Sequence, residues 1–203
     1  MTITFPLLSV AAGAAAGWFV YWVVNQATPA WKTKRLEAVL ATAGSGALLA
    51  ALALRFREPG PRFFVYGALV LVLIGVTIFD IRTQLIPHVV TIPGVIAGLA
   101  AGPYVLPLGL RESVLGLLLG GGVLLIATLV EKLRKKEIGG GDWKYAAMIG
   151  SFIGPQRIVL ALILTGVFGA LGAIALALSG HQARPHALGP WLSAGAVASI
   201  LLG

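Results

Sequence analysis

Apolar runs alternate with short polar breaks along the whole of the 203-residue chain. The runs lie at 3–25, 36–54, 63–79, 89–108, 113–130, 143–154, 158–178 and 188–202. Most approach the roughly 20 apolar residues that carry a helix across a bilayer. The pattern therefore predicts an all-α fold, a polytopic transmembrane bundle of about eight helices. The run at 143–154 is the short one. Twelve helical residues rise about 18 Å, against a hydrocarbon core of about 30 Å. It is expected to be a half-helix or to begin earlier, in the preceding break; if it does not cross, seven spans remain.

Composition agrees with a lipid surrounding. The chain is 58% hydrophobic and 11% charged, where soluble domains hold about 45–50% apolar and about 25% charged residues. Its 27 glycines include Gly116, Gly120, Gly121 and Gly122 inside one run; small residues let membrane helices approach closely. The net charge of +8 sits in the breaks. There it sets topology rather than binding nucleic acid, which is excluded as a partner; the lipid bilayer is the expected one. With eight crossings, Lys32, Lys34, Arg35, Arg82, Lys132, Arg134, Lys135, Lys136, Lys144 and Arg184 share one side, and Arg55, Arg57, Arg62, Arg111 and Arg157 the other. The richer side is expected to be cytoplasmic. The stretch Ala11–Gly17 looks like a small-residue cleavage region, but no Lys or Arg precedes it, so 3–24 is read as a retained helix. Cysteine is absent, which excludes disulfides, zinc–thiolate sites and thiol catalysis. His181 and His186 share a break without a third ligand, so no metal site is assigned.

The chain holds two aspartates, Asp80 and Asp142. One follows the third run and the other precedes the sixth. Two spans separate them, so both return to the same membrane face whatever the absolute orientation. Two carboxylates brought together cannot both ionise easily. A pair with one proton can hydrolyse an amide: the charged member takes a proton from water and the protonated one polarises the scissile carbonyl. Read from spacing alone, alternatives stay open. Asp142 can cap its helix, or the two acids can form a proton or cation site in a small transporter or in a structural subunit of a secretion or pilus apparatus.

Two motifs narrow this choice. Gly139-Gly140-Gly141-Asp142, with Lys144 two residues on, resembles the GxGD motif of prepilin peptidases and related membrane aspartyl proteases. Tyr145 to Gly154 resembles that family's small-and-apolar helix. Asp80-Ile81-Arg82-Thr83-Gln84-Leu85-Ile86-Pro87 resembles its first motif, an Asp at a helix end with Ile-Pro six residues later. The likeness covers 63–179, the expected catalytic core, between a diverged two-helix part at 1–62 and a C-terminal helix at 180–203. It implies that Asp80 and Asp142 are the catalytic pair. Gly139, Gly140, Gly141, Lys144, Ile86 and Pro87 would serve as hinge or substrate-binding residues. The resemblance further implies a prepilin-like, membrane-anchored precursor as substrate, its short basic leader cut at the cytoplasmic face of the inner membrane, with no cofactor. Many members carry a cysteine-rich cytoplasmic region after their first helix, linked to methylation of the new N-terminus. Here that gap is only 25–35, so the resemblance supports the peptidase and not the methyltransferase. His88 stands where the family often has Asn or Asp, and is read as a cap or interface residue. The basic run Lys132, Arg134, Lys135 and Lys136 is read as an interfacial anchor. Glu131 and Glu137 are candidates to receive a basic leader.

Overall fold

The computed structural model describes residues 4–31, 35–133, 140–178 and 188–203. Seven helices follow one another: α1 (Thr4–Ala27), α2 (Arg35–Phe56), α3 (Pro61–Thr83), α4 (His88–Tyr104), α5 (Leu110–Leu133), α6 (Asp142–Leu178) and α7 (Gly189–Leu202). Among the described residues there is no strand. Helices α1, α2, α3, α5 and α6 are long and apolar enough to cross a membrane. Helices α4 and α7 are apolar but have only 17 and 14 residues. Large apolar side chains are not confined to the interior, where Leu52, Leu73, Ile149 and Leu192 are buried, but cover the outside as well. Leu118, Ile126, Ile163, Leu171 and Ile174 stand exposed on helix flanks, while Ser45, Thr91, Ser113, Ser151 and Ser199 are buried. Large apolar side chains facing outward and small or polar ones facing inward suit a lipid solvent. The chain is a multi-pass helical membrane protein.

All eight expected segments are helical, but the sixth and seventh form one element. Helix α6 is broken at Gly154, with φ 77° and ψ 178°, immediately before Pro155. Only glycine occupies that backbone region at low cost, and proline cannot supply the next helical N–H. A short limb (142–153) thus precedes a long one (155–178). The third run is longer than its hydropathy indicates, since α3 continues through Asp80 to Thr83. Polar residues end an apolar run without ending the backbone hydrogen-bond ladder. Conversely, α4 stops at Tyr104, where the Val105 amide closes onto the Ala101 carbonyl at 2.9 Å ahead of Pro107.

The helices form two compact units, α1–α3 and α4–α7. In the first, Ser9, Gly13, Gly17, Tyr21 and Val24 make the buried stripe of α1. A Cβ at Gly17 would stand 2.7 Å from the Ala41 carbonyl oxygen of α2. Within 11–17, Gly13, Ala14 and Gly17 thus form the packing seam between α1 and α2. Helix α3 joins through Phe63, edge-on to Phe5 with centroids 5.1 Å apart, and through Tyr66, stacked on Phe56 at 5.6 Å. Its Gly75 lies against Val20 and Val24.

In the second unit the short limb of α6 is the axis, with every residue from Tyr145 to Gly154 buried. On α4, Gly94 lies against Met148 and Gly98 against Ser151 and Phe152. On α5, Gly116 and Gly150 meet backbone to backbone, and Gly120 rests on Ala146. On α7, the Ser193 hydroxyl donates to the Gly189 carbonyl at 2.8 Å and receives the Tyr145 hydroxyl at 2.7 Å.

Candidate active site

Asp80 belongs to the core stripe of α3. Tyr66, Leu69, Val70, Leu73 and Val76 recur at helical spacing and are buried, and Asp80 extends their line at 3% exposure. A carboxylate placed where the pattern calls for an apolar side chain is expensive, and buried ionisable groups in membrane helices point to function. Four residues later the helix stops sharply, with Gln84 at φ 54°. That is left-handed backbone, uncommon for a residue with a Cβ.

Asp142 is the first residue of α6 and is half-buried. An acidic side chain in a first helical turn interacts favourably with the unpaired N–H groups there. The helix begins with the Tyr145 amide donating to the Gly141 carbonyl at 3.0 Å. Asp142 thus tips the enclosed short limb of α6, which α4, α5 and α7 hold from three sides.

The motif residues around these aspartates distribute as follows. Ile86 is buried, and Pro87 is the N-cap of α4, its carbonyl accepting from Val90 at 3.1 Å and Thr91 at 3.3 Å. A Cβ at Gly141 would stand 3.0 Å from Cβ of Ile86, so the glycine of the second motif packs on the isoleucine of the first. Lys144 Nζ lies 3.4 Å from His88 Nε2 and 5.4 Å from the Trp143 ring centroid. The start of α4 and the start of α6 are therefore fastened by both motifs. Gly140 lies beside the Trp143 ring nitrogen. Gly139 falls outside the described residues, as do Arg134, Lys135, Lys136, Glu137, His181 and His186. Lys132 is exposed near the end of α5. Among the described residues, no three His, Asp or Glu side chains gather into a metal-binding group. An apolar groove of about 300 Å³ runs between α4, α5 and α6, lined by Ile92, Val95, Ile96, Leu117, Trp143 and Lys144 among others.

One cluster was not anticipated from the sequence. Arg82, expected in a loop, is helical and buried, and its guanidinium joins all three helices of the first unit. The signal was available: Glu37 starts a span and Arg82 ends the next one, so parity puts both at one face.

The described helices form a multi-pass membrane bundle with one aspartate in the last turn of α3 and another in the first turn of α6. Residues 67–174, more than half of the chain, match the model of the Type IV leader peptidase family, and the chain belongs to that family. It is 32% identical over 164 residues to the prepilin leader peptidase/N-methyltransferase of Aeromonas salmonicida strain A449, covering 77% of this chain and 55% of that protein. The like-named protein of Burkholderia pseudomallei strain K96243 is 30% identical over 163 residues, covering 78% of this chain and 52% of its own length. That of Escherichia coli K12 is 29% identical over 140 residues, covering 68% and 61%. The chain thus spans about half the length of the curated relatives it matches. No solved structure matches it.

Proposed function

We propose that this chain is a prepilin-type leader peptidase, an aspartic endopeptidase that removes the short basic leader of a membrane-anchored, prepilin-like precursor. The observation that carries the reading is the family match over 67–174, which contains both aspartates in their motifs. In the reaction, the ionised member of the pair takes a proton from water while the other donates its proton to the scissile carbonyl oxygen. The water oxygen bonds to the carbonyl carbon. Collapse of that adduct breaks the C–N bond, and a proton passes to the leaving amine. The carboxyl that was protonated by the water gives that proton to the leaving amine and the other recovers one from a hydroxyl of the adduct, so both return to their starting protonation states. No cofactor is assigned to these steps.

The groove beside Trp143 and Lys144 supports this reading, because its apolar lining suits the membrane helix that follows a cleavage point. The loop charges support placing the site at the cytoplasmic face of the inner membrane. With Arg82 removed from the count as a paired, buried residue, the side shared by both aspartates still holds nine bases against five. Transport predicts ionisable groups at mid-span. Among the described residues the buried charges are Asp80 and Arg82, both in the last turn of α3. The relatives are named for two activities. Peptidase activity alone is assigned here, because α1 and α2 are joined by residues 28–34 and the chain has no cysteine.

The test is cleavage of a prepilin-type precursor in membranes containing the wild-type chain, Asp80→Asn or Asp142→Asn. The expected outcome is cleavage by the wild type and a loss of about 10³-fold in either variant, near the full contribution of a general acid or base. Complete cleavage by either variant overturns the assignment.

A further inference from the structure

We propose that Arg82 is the positioning residue for Asp80: its guanidinium fixes the rotation of α3 about its own axis and thereby the direction of the carboxylate. This rests on the catalytic reading of Asp80 above. Arg82 Nη1 donates to Thr28 Oγ1 at 2.8 Å, just past the end of α1. Nη2 and Nε both donate to Glu37 Oε2 in the first turn of α2, at 2.8 and 3.2 Å. The guanidinium also lies over the Tyr21 ring of α1, 5.4 Å from its centroid. Thr28 gives its own proton to the Val24 carbonyl at 2.8 Å, leaving its lone pairs to Arg82.

The arrangement is one of position rather than of mere adhesion. The Arg82 side chain is fully buried and Glu37 is 24% exposed. A cation at the C-terminal end of α1 and an anion at the N-terminal end of α2 each sit at the favourable pole of those helices. Residues 80 and 82 are separated by about 200° around a helix of 3.6 residues per turn. Holding one side of α3 therefore dictates where the opposite side points. A carboxyl about 5 Å from the helix axis moves by roughly 2.5 Å when the helix turns by about 30°. A misplacement of about 1 Å can cost on the order of 100-fold in rate. Apolar contacts restrain such a turn weakly, whereas three directed bonds to two other helices oppose it. Lysine cannot replace them, since one ammonium lacks the planar fork that reaches a carboxylate and a hydroxyl together.

The experiment compares wild type, Arg82→Lys and the double variant Arg82→Met/Glu37→Leu on a synthetic precursor with a basic leader, a glycine and an apolar helix. The double variant removes both charges, so adhesion is largely preserved while orientation is lost. Its kcat is expected to fall about 10- to 100-fold with KM within about two-fold, and Arg82→Lys to lie between it and the wild type. Wild-type kcat in a folded double variant overturns the proposal. Should that variant fail to accumulate, Thr28→Val removes the α1 bond alone and is expected to lower kcat by about 3- to 10-fold; no change is the contrary result. An activity-independent arm uses the absence of native cysteine. Asp80→Cys is labelled with a methanethiosulfonate reagent in the presence and absence of Arg82→Met/Glu37→Leu. A several-fold change in labelling rate is expected, and an unchanged rate refutes the positioning role even if the wild type cleaves no precursor. Failure of the wild type to cleave, with the labelling change intact, instead rejects the peptidase reading.

Discussion

The two units of this protein solve the same problem by different means. Both must hold a carboxylate at the end of a helix in a solvent that gives no hydrophobic drive for one helix to bind another. In α1–α3 the aspartate-bearing end is secured by a polar clasp, Arg82 with Thr28, Glu37 and Tyr21. In α4–α7 the short limb of α6 is secured along its length by backbone approach, with Gly116 on Gly150 and Gly120 on Ala146, and at its tip by Ile86 on Gly141. Directed bonds fix one point and its orientation; close packing fixes a whole helix but tolerates no added atom. The comparison implies that the aspartate-bearing end of α3 is vulnerable at charges and the short limb of α6 at glycines.

The largest effect that can break this comparison is expected at Gly116→Val. A Cβ there would land on the Gly150 carbonyl oxygen and crowd the Gly154 backbone. No flexible side chain is present to yield, so the cost is about 3 kcal/mol or more, read as lost monodispersity and a lower unfolding temperature in detergent. Gly67→Ala in the first unit meets nothing within 4 Å and is expected to leave both measures unchanged. Next comes Arg82→Met alone, which strands Glu37. A buried pair broken from one side costs about 3–5 kcal/mol. Because Glu37 retains some solvent access, roughly 2–3 kcal/mol is expected, with the double variant Arg82→Met/Glu37→Leu markedly milder in thermal melts. Equal destabilisation by single and double variants would remove the clasp from the account.

Gly154→Ala sharpens the picture of α6. The φ of 77° with ψ of 178° excludes an L side chain at low cost, and a Cβ would stand 2.9 Å from Leu108 Cδ2. A loss of about 2 kcal/mol is expected, again by thermal melt; a neutral result means that the kink is not a fixed feature. The smallest effect is expected at Gln84→Gly, which relieves a left-handed glutamine at the end of α3. The gain in glycine's conformational tolerance is offset by its greater freedom in the unfolded chain, so the change should stay within about 1 kcal/mol.

Much of the bundle could be read from residue order alone. Each apolar run gave a helix over most of its described length, because in lipid an unpaired backbone must close on itself and the run supplies the only solvent-compatible surface. The motifs at Asp80 and Asp142 were legible as well, since each needs particular residues at fixed spacing. Boundaries were less so. The third run ended at its first charge by hydropathy, yet α3 continued to Thr83 and carried Asp80 and Arg82 inside it.

Residue order by itself determined that this chain is a polytopic helical membrane protein and to which family it belongs. Those properties follow from side-chain chemistry and periodicity, which are local. Tertiary structure decided that Arg82 is a buried clasp rather than a loop cation, that Ile86 rests on Gly141, and that Gly154 divides α6 into two limbs. These depend on which helix lies beside which, and contacts between residues tens of positions apart leave no trace in the local pattern of apolar and polar residues.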